Sequence, residues 1–330
     1  MSAEVPPQDA SSARRGAAQQ REPQAWGDQT SDVRVTTGIL PPPVAPPVRA
    51  WRQVLRGIAS LKESRVGMIG AGIILAWILV ATFAPLLAPY APNQPIKPMQ
   101  PVGAIAPGGG TFWLGTDHLG RDILSRLIYG TRTVLIYAPL ATLTAYAVGI
   151  LMGLIAGYKR GWTDEILSRV GDLVLAFPAL VLYIIIISRY GASAINIVLA
   201  VTLAASPAVM RITRGITLDL RTRAYVAAAQ LRGESTWYIM LVEILPNARG
   251  PLIVDFCLRL GYVTITIGTL GFLGLGLPPP DPDWGGMIND TRQFALVFPH
   301  MVIFPCIAIS SLVLGFNLLA DGVREISLND

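Results

Sequence analysis

Six stretches of this chain are too long and too apolar to lie on the surface of a water-soluble fold, and they restrict it to membrane architectures. A bilayer core is crossed by about 20 apolar residues in a helix. Val66 to Ile96 carries no charged residue, and Pro85, Pro89 and Pro92 end its helical part near Leu87. Val134 to Gly157 is a second uncharged run. Leu173 to Ser188 is a third, only 16 residues long unless it borrows from Ile166 onward, and Arg189 separates it from the fourth, Tyr190 to Met210. The fifth starts near Pro251 and reaches Phe272 with Asp255 and Arg259 inside it, and the sixth is Phe294 to Ala320. Only 14% of the residues are charged, where a soluble domain carries about 25%. The sequence therefore predicts an all-α polytopic membrane protein with six transmembrane helices.

Basic residues collect on the cytoplasmic side of a membrane protein. With the N-terminus inside, the inside segments hold 19 Lys and Arg and the outside segments six. Both termini are therefore expected in the cytoplasm. This placement also accounts for the net charge of +5 without a nucleic-acid partner, because the arginines are spread between apolar runs.

The first apolar run begins at Val66, too late for a secretory signal peptide. Residues 1–50 contain eight prolines and no periodic apolar face, and read as a disordered cytoplasmic tail. In segment 51–65, Trp51, Val54, Leu55, Ile58 and Leu61 recur at helical spacing among Arg52, Arg56, Lys62 and Arg65. Such a helix lies among the lipid headgroups. The remaining expected divisions are 66–130, the first span with its outer segment, 131–322, the membrane core, and a short tail, 323–330. Cys257 and Cys306 sit in apolar stretches, and His118 and His300 lie far apart. Neither pair has the spacing of a disulfide framework or a metal site.

The segment 211–250, between the fourth and fifth runs, has a pattern of its own. Ala227, Ala228 and Ala229 favour helix, and Gly233 can end that helix in a left-handed conformation. A second helical stretch leads to Leu245 and Pro246, where proline can open the next helix. A short helix with an alanine surface can seat its backbone close to a partner, although an ordinary loop between spans has the same composition.

This stretch resembles the Glu-Ala-Ala…Gly…Leu-Pro loop of ABC importer permeases. Ala228, Ala229, Gly233, Leu245 and Pro246 match it, while Ala227 stands where many members have Glu and Glu243 where the pattern is often apolar or His. Trp113 to Arg132, Leu270 to Gly286 and Phe316 to Arg324 resemble segments of the C-type permeases of oligopeptide, dipeptide and nickel importers. Together the resemblance covers roughly residues 62–326. It implies a type I ABC importer permease fold in a bacterial cytoplasmic membrane, transporting peptides or peptide-like solutes. The Ala227–Gly233 segment, with Leu245 and Pro246, would couple to the ATPase. The implied partners are a second, B-type permease, ABC ATPase subunits and an extracytoplasmic solute-binding protein. No cofactor is expected in this chain, since ATP would be bound by the ATPase.

Other features are read from the residues themselves. No Gly-x-x-x-x-Gly-Lys-[Ser/Thr] loop occurs in the sequence, so the usual phosphate cradle is missing. Thr116 or Asp117 can cap a helix. Leu119, Ile123 and Leu127 would share one face, and Asp122 and Arg126 are spaced as an i,i+4 pair. An Asp117/His118/Asp122 metal site lacks a further ligand nearby. Gly149, Gly153 and Gly157 would let a neighbouring helix pack closely. Asp255 and Arg259, one turn apart in the fifth run, form either a self-neutralising pair or a polar element of the translocation path. An ion-coupled secondary transporter would place more ionisable residues at mid-depth, in two matching halves. A membrane enzyme would need converging nucleophiles, acids or metal ligands.

The topology is checked by reporter fusions. Those at Gly108 and Asp281 are expected outside, and those at Arg223 and Asp330 inside; a reversal at any of the four overturns the assignment.

Overall fold

The computed structural model describes residues 64–278 and 280–329. The Pro-rich segment 1–50 and all but the last two residues of 51–65 lie outside them. The described chain folds into helices: α1 (Arg65–Thr82), α2 (Ala84–Leu87), α3 (Ile123–Lys159), α4 (Gly161–Ala176), α5 (Ala179–Tyr190), α6 (Ala194–Leu220) and α7 (Ala224–Leu231). A helical rod, α8 (Thr236–Phe272), then leads to α9 (Trp284–Thr291) and α10 (His300–Asn329). A two-stranded antiparallel hairpin, β1 (Ala104–Ile105) and β2 (Thr111–Phe112), lies between α2 and α3.

Five helices, α1, α3, α6, α8 and α10, are long and apolar enough to cross a bilayer. The third expected span is not a single helix. It divides into α4 and α5, which meet at 86°, so a sixth crossing exists only if the bent pair counts as one. Pro178 is the cause. It has no N–H for the helical ladder, and its ring drives the preceding residue out of helical geometry; Phe177 is extended, with φ −83 and ψ 138.

The most extensive helix contact joins α3 to α6. A Cβ built on Gly149 would lie 2.6 Å from the Val209 Cβ, one on Gly153 2.5 Å from the Thr213 Cβ, and one on Gly157 2.7 Å from the Thr217 Cβ. Both rows repeat every four residues, so they stay in register over more than two turns. A second seam joins α1 to α10, where Gly67 meets Gly322 and Gly70 meets Gly315 and Leu319. Above it, Trp77 Nε1 donates to Ser311 Oγ at 3.0 Å.

α3 begins at Ile123, well before the uncharged run at Val134, because Asp122 caps it. Its carboxylate accepts from the Ser125 N–H at 2.8 Å and the Ser125 hydroxyl at 2.7 Å. The cap is therefore neither Thr116 nor Asp117. Thr116 Oγ1 donates to Lys97 O at 2.6 Å and accepts from Gln100 N at 2.8 Å, clamping the loop before α3. Nor does Asp122 pair with Arg126, whose guanidinium reaches Asn93 Oδ1 at 2.9 Å and Pro92 O at 3.3 Å. The i,i+4 ion pair forms instead between Asp117 and Arg121, at 2.6 Å. Leu119 lies outside the helix and is 53% exposed, while Ile123 and Leu127 are buried.

Pro246 does stand in the first turn of the α-helical part of α8, which begins at Leu245, but that part continues the preceding turns without a break. The rod α8 runs through it, with Ile239–Ile244 wound as a π-helix and the Leu245 N–H bonded to Met240 O, five residues back. The wider turn absorbs the hydrogen bond that proline cannot make.

Replacing Gly153 by Val forces a branched side chain into the α3–α6 seam, an overpacking that costs at least about 1–3 kcal/mol. Gly215→Val on α6 serves as control, since a Cβ there meets nothing within 4 Å. In detergent, Gly153→Val is expected to lower the melting temperature or abolish accumulation, and Gly215→Val to leave both unchanged.

Candidate coupling and translocation sites

The α7 segment is built from its buried side. Val226 and Ala229, three residues apart, are both fully buried and pack with Leu154 of α3 and with Ile239, Met240 and Ile244 of α8. Ala227 and Ala228 face outward, and Leu231 is 90% exposed. Thus the alanine surface is divided, with Ala229 seating the helix and its two neighbours presented away from the core.

Gly233 ends the helix with φ +77, and the Glu234 N–H reaches back to Ala229 O at 3.2 Å. This is a left-handed helix stop of the kind glycine favours. A Cβ at Gly233 would meet nothing within 4 Å, so the constraint there is the backbone angle and not space. Arg232 Nη2 bonds Glu243 Oε1 at 3.0 Å, and Arg221 Nη1 bonds Tyr158 O at 3.2 Å. The first link holds α7 to the start of α8 and the second holds the end of α6 to α3, while Gln230 Nε2 of α7 itself donates to the Tyr158 hydroxyl at 3.2 Å. Leu245 packs at the edge of the same cluster, whereas Pro246 is exposed on the rod. Glu243, which appeared in the sequence only as a departure from the family pattern, is the acceptor that fixes Arg232.

Asp255 and Arg259 do meet. Arg259 Nε lies 2.7 Å from Asp255 Oδ2, with the two side chains 19% and 21% exposed. The same carboxylate oxygen accepts from the Tyr146 hydroxyl of α3, and the Tyr146 ring packs edge-on against Phe256 at 5.0 Å. The pair therefore neutralises itself and also ties α8 to α3. Tyr146 was not singled out from the sequence; the signal for it was a hydroxyl inside an apolar run, which needs a partner at that depth.

At the opposite end of the helices, the Pro-Asp-Trp-Gly run between α8 and α10 forms a plug. Trp284 is fully buried, its Nε1 donates to Leu127 O at 3.0 Å, and its ring meets Trp77 edge-on at 5.1 Å. Thr133 Oγ1 donates to Pro282 O at 3.0 Å. Asp283 caps α9, accepting from the Gly286 N–H at 3.0 Å, and its carboxylate is enclosed by Gly271 and Gly276. Burial pushes its carboxyl up to about 6, against the lowering effect of the Gly286 and Gly285 N–H groups and of Arg126. The residues weighed as a metal site are otherwise engaged: Asp117 holds Arg121, His118 stacks on Phe294 and Asp122 caps α3.

Residues 149–327 match the family model described as binding-protein-dependent transport system inner membrane component. Residues 49–104 match the N-terminal TM domain of oligopeptide transport permease C. The chain is 37% identical over 296 residues to the dipeptide transport system permease protein DppC of Alkalihalophilus pseudofirmus, covering 87% of this chain and 94% of that one. It is 38% identical over 276 residues to the glutathione transport system permease protein GsiD of Pectobacterium atrosepticum, covering 83% and 88%. A subunit of the inward-facing MetNI methionine ABC transporter shares the fold, with a TM-score of 0.53 and 15% identity, over 62% of this chain and 97% of that one.

The chain belongs to the inner-membrane permeases of binding-protein-dependent ABC importers. Within them it is a C-type permease of the oligopeptide and dipeptide kind, and the ion-coupled secondary transporter is set aside.

Asp283 yields a pH signature. Its carboxyl titrates near 3.8 when unperturbed and about 6 in the fold, so the folded state binds more protons between those values. Its contribution to stability is therefore greatest below this window and declines as pH rises through it. Asp283→Asn is expected to flatten the dependence of melting temperature on pH between 3.8 and about 6, as followed by thermal unfolding in detergent.

Proposed function

We propose that this permease pairs with a second, B-type permease to enclose the pathway. In this reading it receives a peptide or peptide-like solute from an extracytoplasmic binding protein and takes its driving force from separate ABC ATPase subunits. The observation that carries the coupling role is the placement of α7: buried on Val226 and Ala229, open on Ala227, Ala228 and Leu231, and turned by Gly233. An exposed helix held at several points transmits a push from a docked partner as a rigid body, whereas a loose loop would absorb it. Leu245 and Pro246 would continue that push into α8, whose rod is unbroken from Thr236 to Phe272.

The solute assignment draws on relatives named for dipeptide and glutathione transport. The orientation with both termini inside draws on the charge bias, since α7 and the arginines around it share one end of the helices. ATP is bound by the partner and no cofactor by this chain, a reading supported by the missing phosphate loop. Asp255 and Arg259 would act chiefly as the tie between α8 and α3, with their partly exposed edges bordering the pathway.

Gly233→Val tests the coupling role. A β-branched residue is costly at positive φ, yet there is space for its side chain, so the mutant is expected to insert and accumulate. Its ATPase pull-down or its solute uptake should fall several-fold. Normal association together with normal uptake would remove α7 as the coupling element.

A further inference from the structure

The rod α8 is continuous from Thr236 to Phe272, but it is not wound alike throughout. Ile239–Ile244 is a π-helix, and the Leu245 N–H reaches Met240 O, five residues back. A π turn holds one residue more than the α turn it replaces, and such turns recur at functional positions. Proline alone does not require it. Pro139 in α3, Pro207 in α6, Pro251 in α8 and Pro305 in α10 all stand inside α-helix. No second π segment occurs among the described residues.

The wide turn is where α7 sits. Ile239, Met240 and Ile244 pack under Val226 and Ala229 of α7. Ile239 and Ile244 are both buried there, although five residues of α-helix would set them about 140° apart. Only the wide winding puts both on one face. Two bonds brace it. Glu243 O accepts from Asn247 Nδ2 at 2.6 Å, and the Glu243 carboxylate holds Arg232, the C-cap of α7, at 3.0 Å. Pro246 offers no N–H in either winding. It leaves Leu241 O without a donor in the π form and Val242 O in the α form, and both residues are exposed. Proline therefore does not favour one winding over the other.

Farther along, the rod is anchored. Asp255 accepts from Tyr146 of α3, and Gly271 encloses the Asp283 carboxylate that caps α9. The seat of α7 and the plug at the far end thus lie on one rod, with the spare residue between the seat and the anchors.

We propose that the π turn is a register switch in α8, held in its wide state by Glu243 and Asn247. When a partner loads α7, Ile239–Ile244 rewinds as α-helix and the Leu245 N–H passes from Met240 O to Leu241 O. The seat then turns by about 100° and shifts by about 1.5 Å relative to the anchored rod. Each N–H exchanges one carbonyl for the next, so the ladder is never left open. The switch rests on the coupling role of α7 and adds a change of winding that a rigid push would not produce.

Cryo-electron microscopy of the full importer complex in nanodiscs, nucleotide-free and with a non-hydrolysable ATP analogue, is the direct test. A π turn at Ile239–Ile244 is expected in the first state and an α turn in the second. A π turn in both, with the ATPase docked on α7, overturns the switch and leaves the coupling role standing. An ATPase docked elsewhere removes the coupling role and the switch with it. Deleting the exposed Val242 takes out the spare residue and holds the α winding. This variant is expected to keep its ATPase and to hydrolyse ATP, while uptake of labelled dialanine or glutathione, whichever the unaltered complex transports, falls on the order of tenfold. Unchanged uptake per ATP hydrolysed overturns the switch. If the deletion variant fails to accumulate, Asn247→Ala carries the functional test. Its uptake per ATP is expected to fall several-fold and to return in Asn247→Gln, which keeps the amide donor; an unchanged ratio in Asn247→Ala counts against the switch in the same way.

Discussion

The packing of α3 against α6 is the constraint on which the rest depends. In a bilayer the hydrophobic effect does not drive helices together, because lipid is as apolar as the side chains; close van der Waals contact must do so. Gly149, Gly153 and Gly157 let the α6 backbone approach until Val209, Thr213 and Thr217 fill the space their side chains would take. With these two long helices fixed, Tyr183 and Ile187 of α5 and Val263 and Ile267 of α8 pack around them toward the end of the seam remote from α7. At the other end, Leu154 receives Val226, Ala229 and Met240. The coupling candidate is thus seated directly on the seam's own helix.

Polar groups hold the assembly at three depths. Arg232–Glu243 and Gln230–Tyr158 secure α7 at one end, Tyr146–Asp255–Arg259 joins α3 to α8 within the membrane, and Asp283–Trp284 plugs the far end. Each is satisfied by partners from different elements, as buried polar groups must be.

Much of the coupling candidate was legible in order along the chain. The Ala-Ala-Ala…Gly pattern gave a helix with a left-handed stop because both depend on residues close in sequence, and Gly233 sits at φ +77 accordingly. The glycine repeat likewise announced a close crossing. What the pattern could not tell was which alanine faces inward. Ala229 is buried and Ala227 and Ala228 are exposed because Leu154 and Met240, distant in sequence, supply the pocket. The pairing in the loop before α3 differs from the spacing for a similar reason. Asp117, Asp122, Arg121 and Arg126 can pair in several ways by spacing, and the choice was made by Asn93, Pro92 and Ser125.

The sequence by itself determined the membrane class, the number of apolar runs, the helix stop at Gly233 and the family signature, since all follow from local composition and short-range spacing. Only the tertiary structure decided that the third run breaks at Pro178, that α8 runs unbroken through Pro246, and that Asp255 answers to Tyr146 as well as Arg259. In each case a local signal had more than one acceptable outcome. Proline removes a donor but does not specify a bend or a π turn, and a carboxylate needs donors without naming them. Packing partners far along the chain supplied the missing choice.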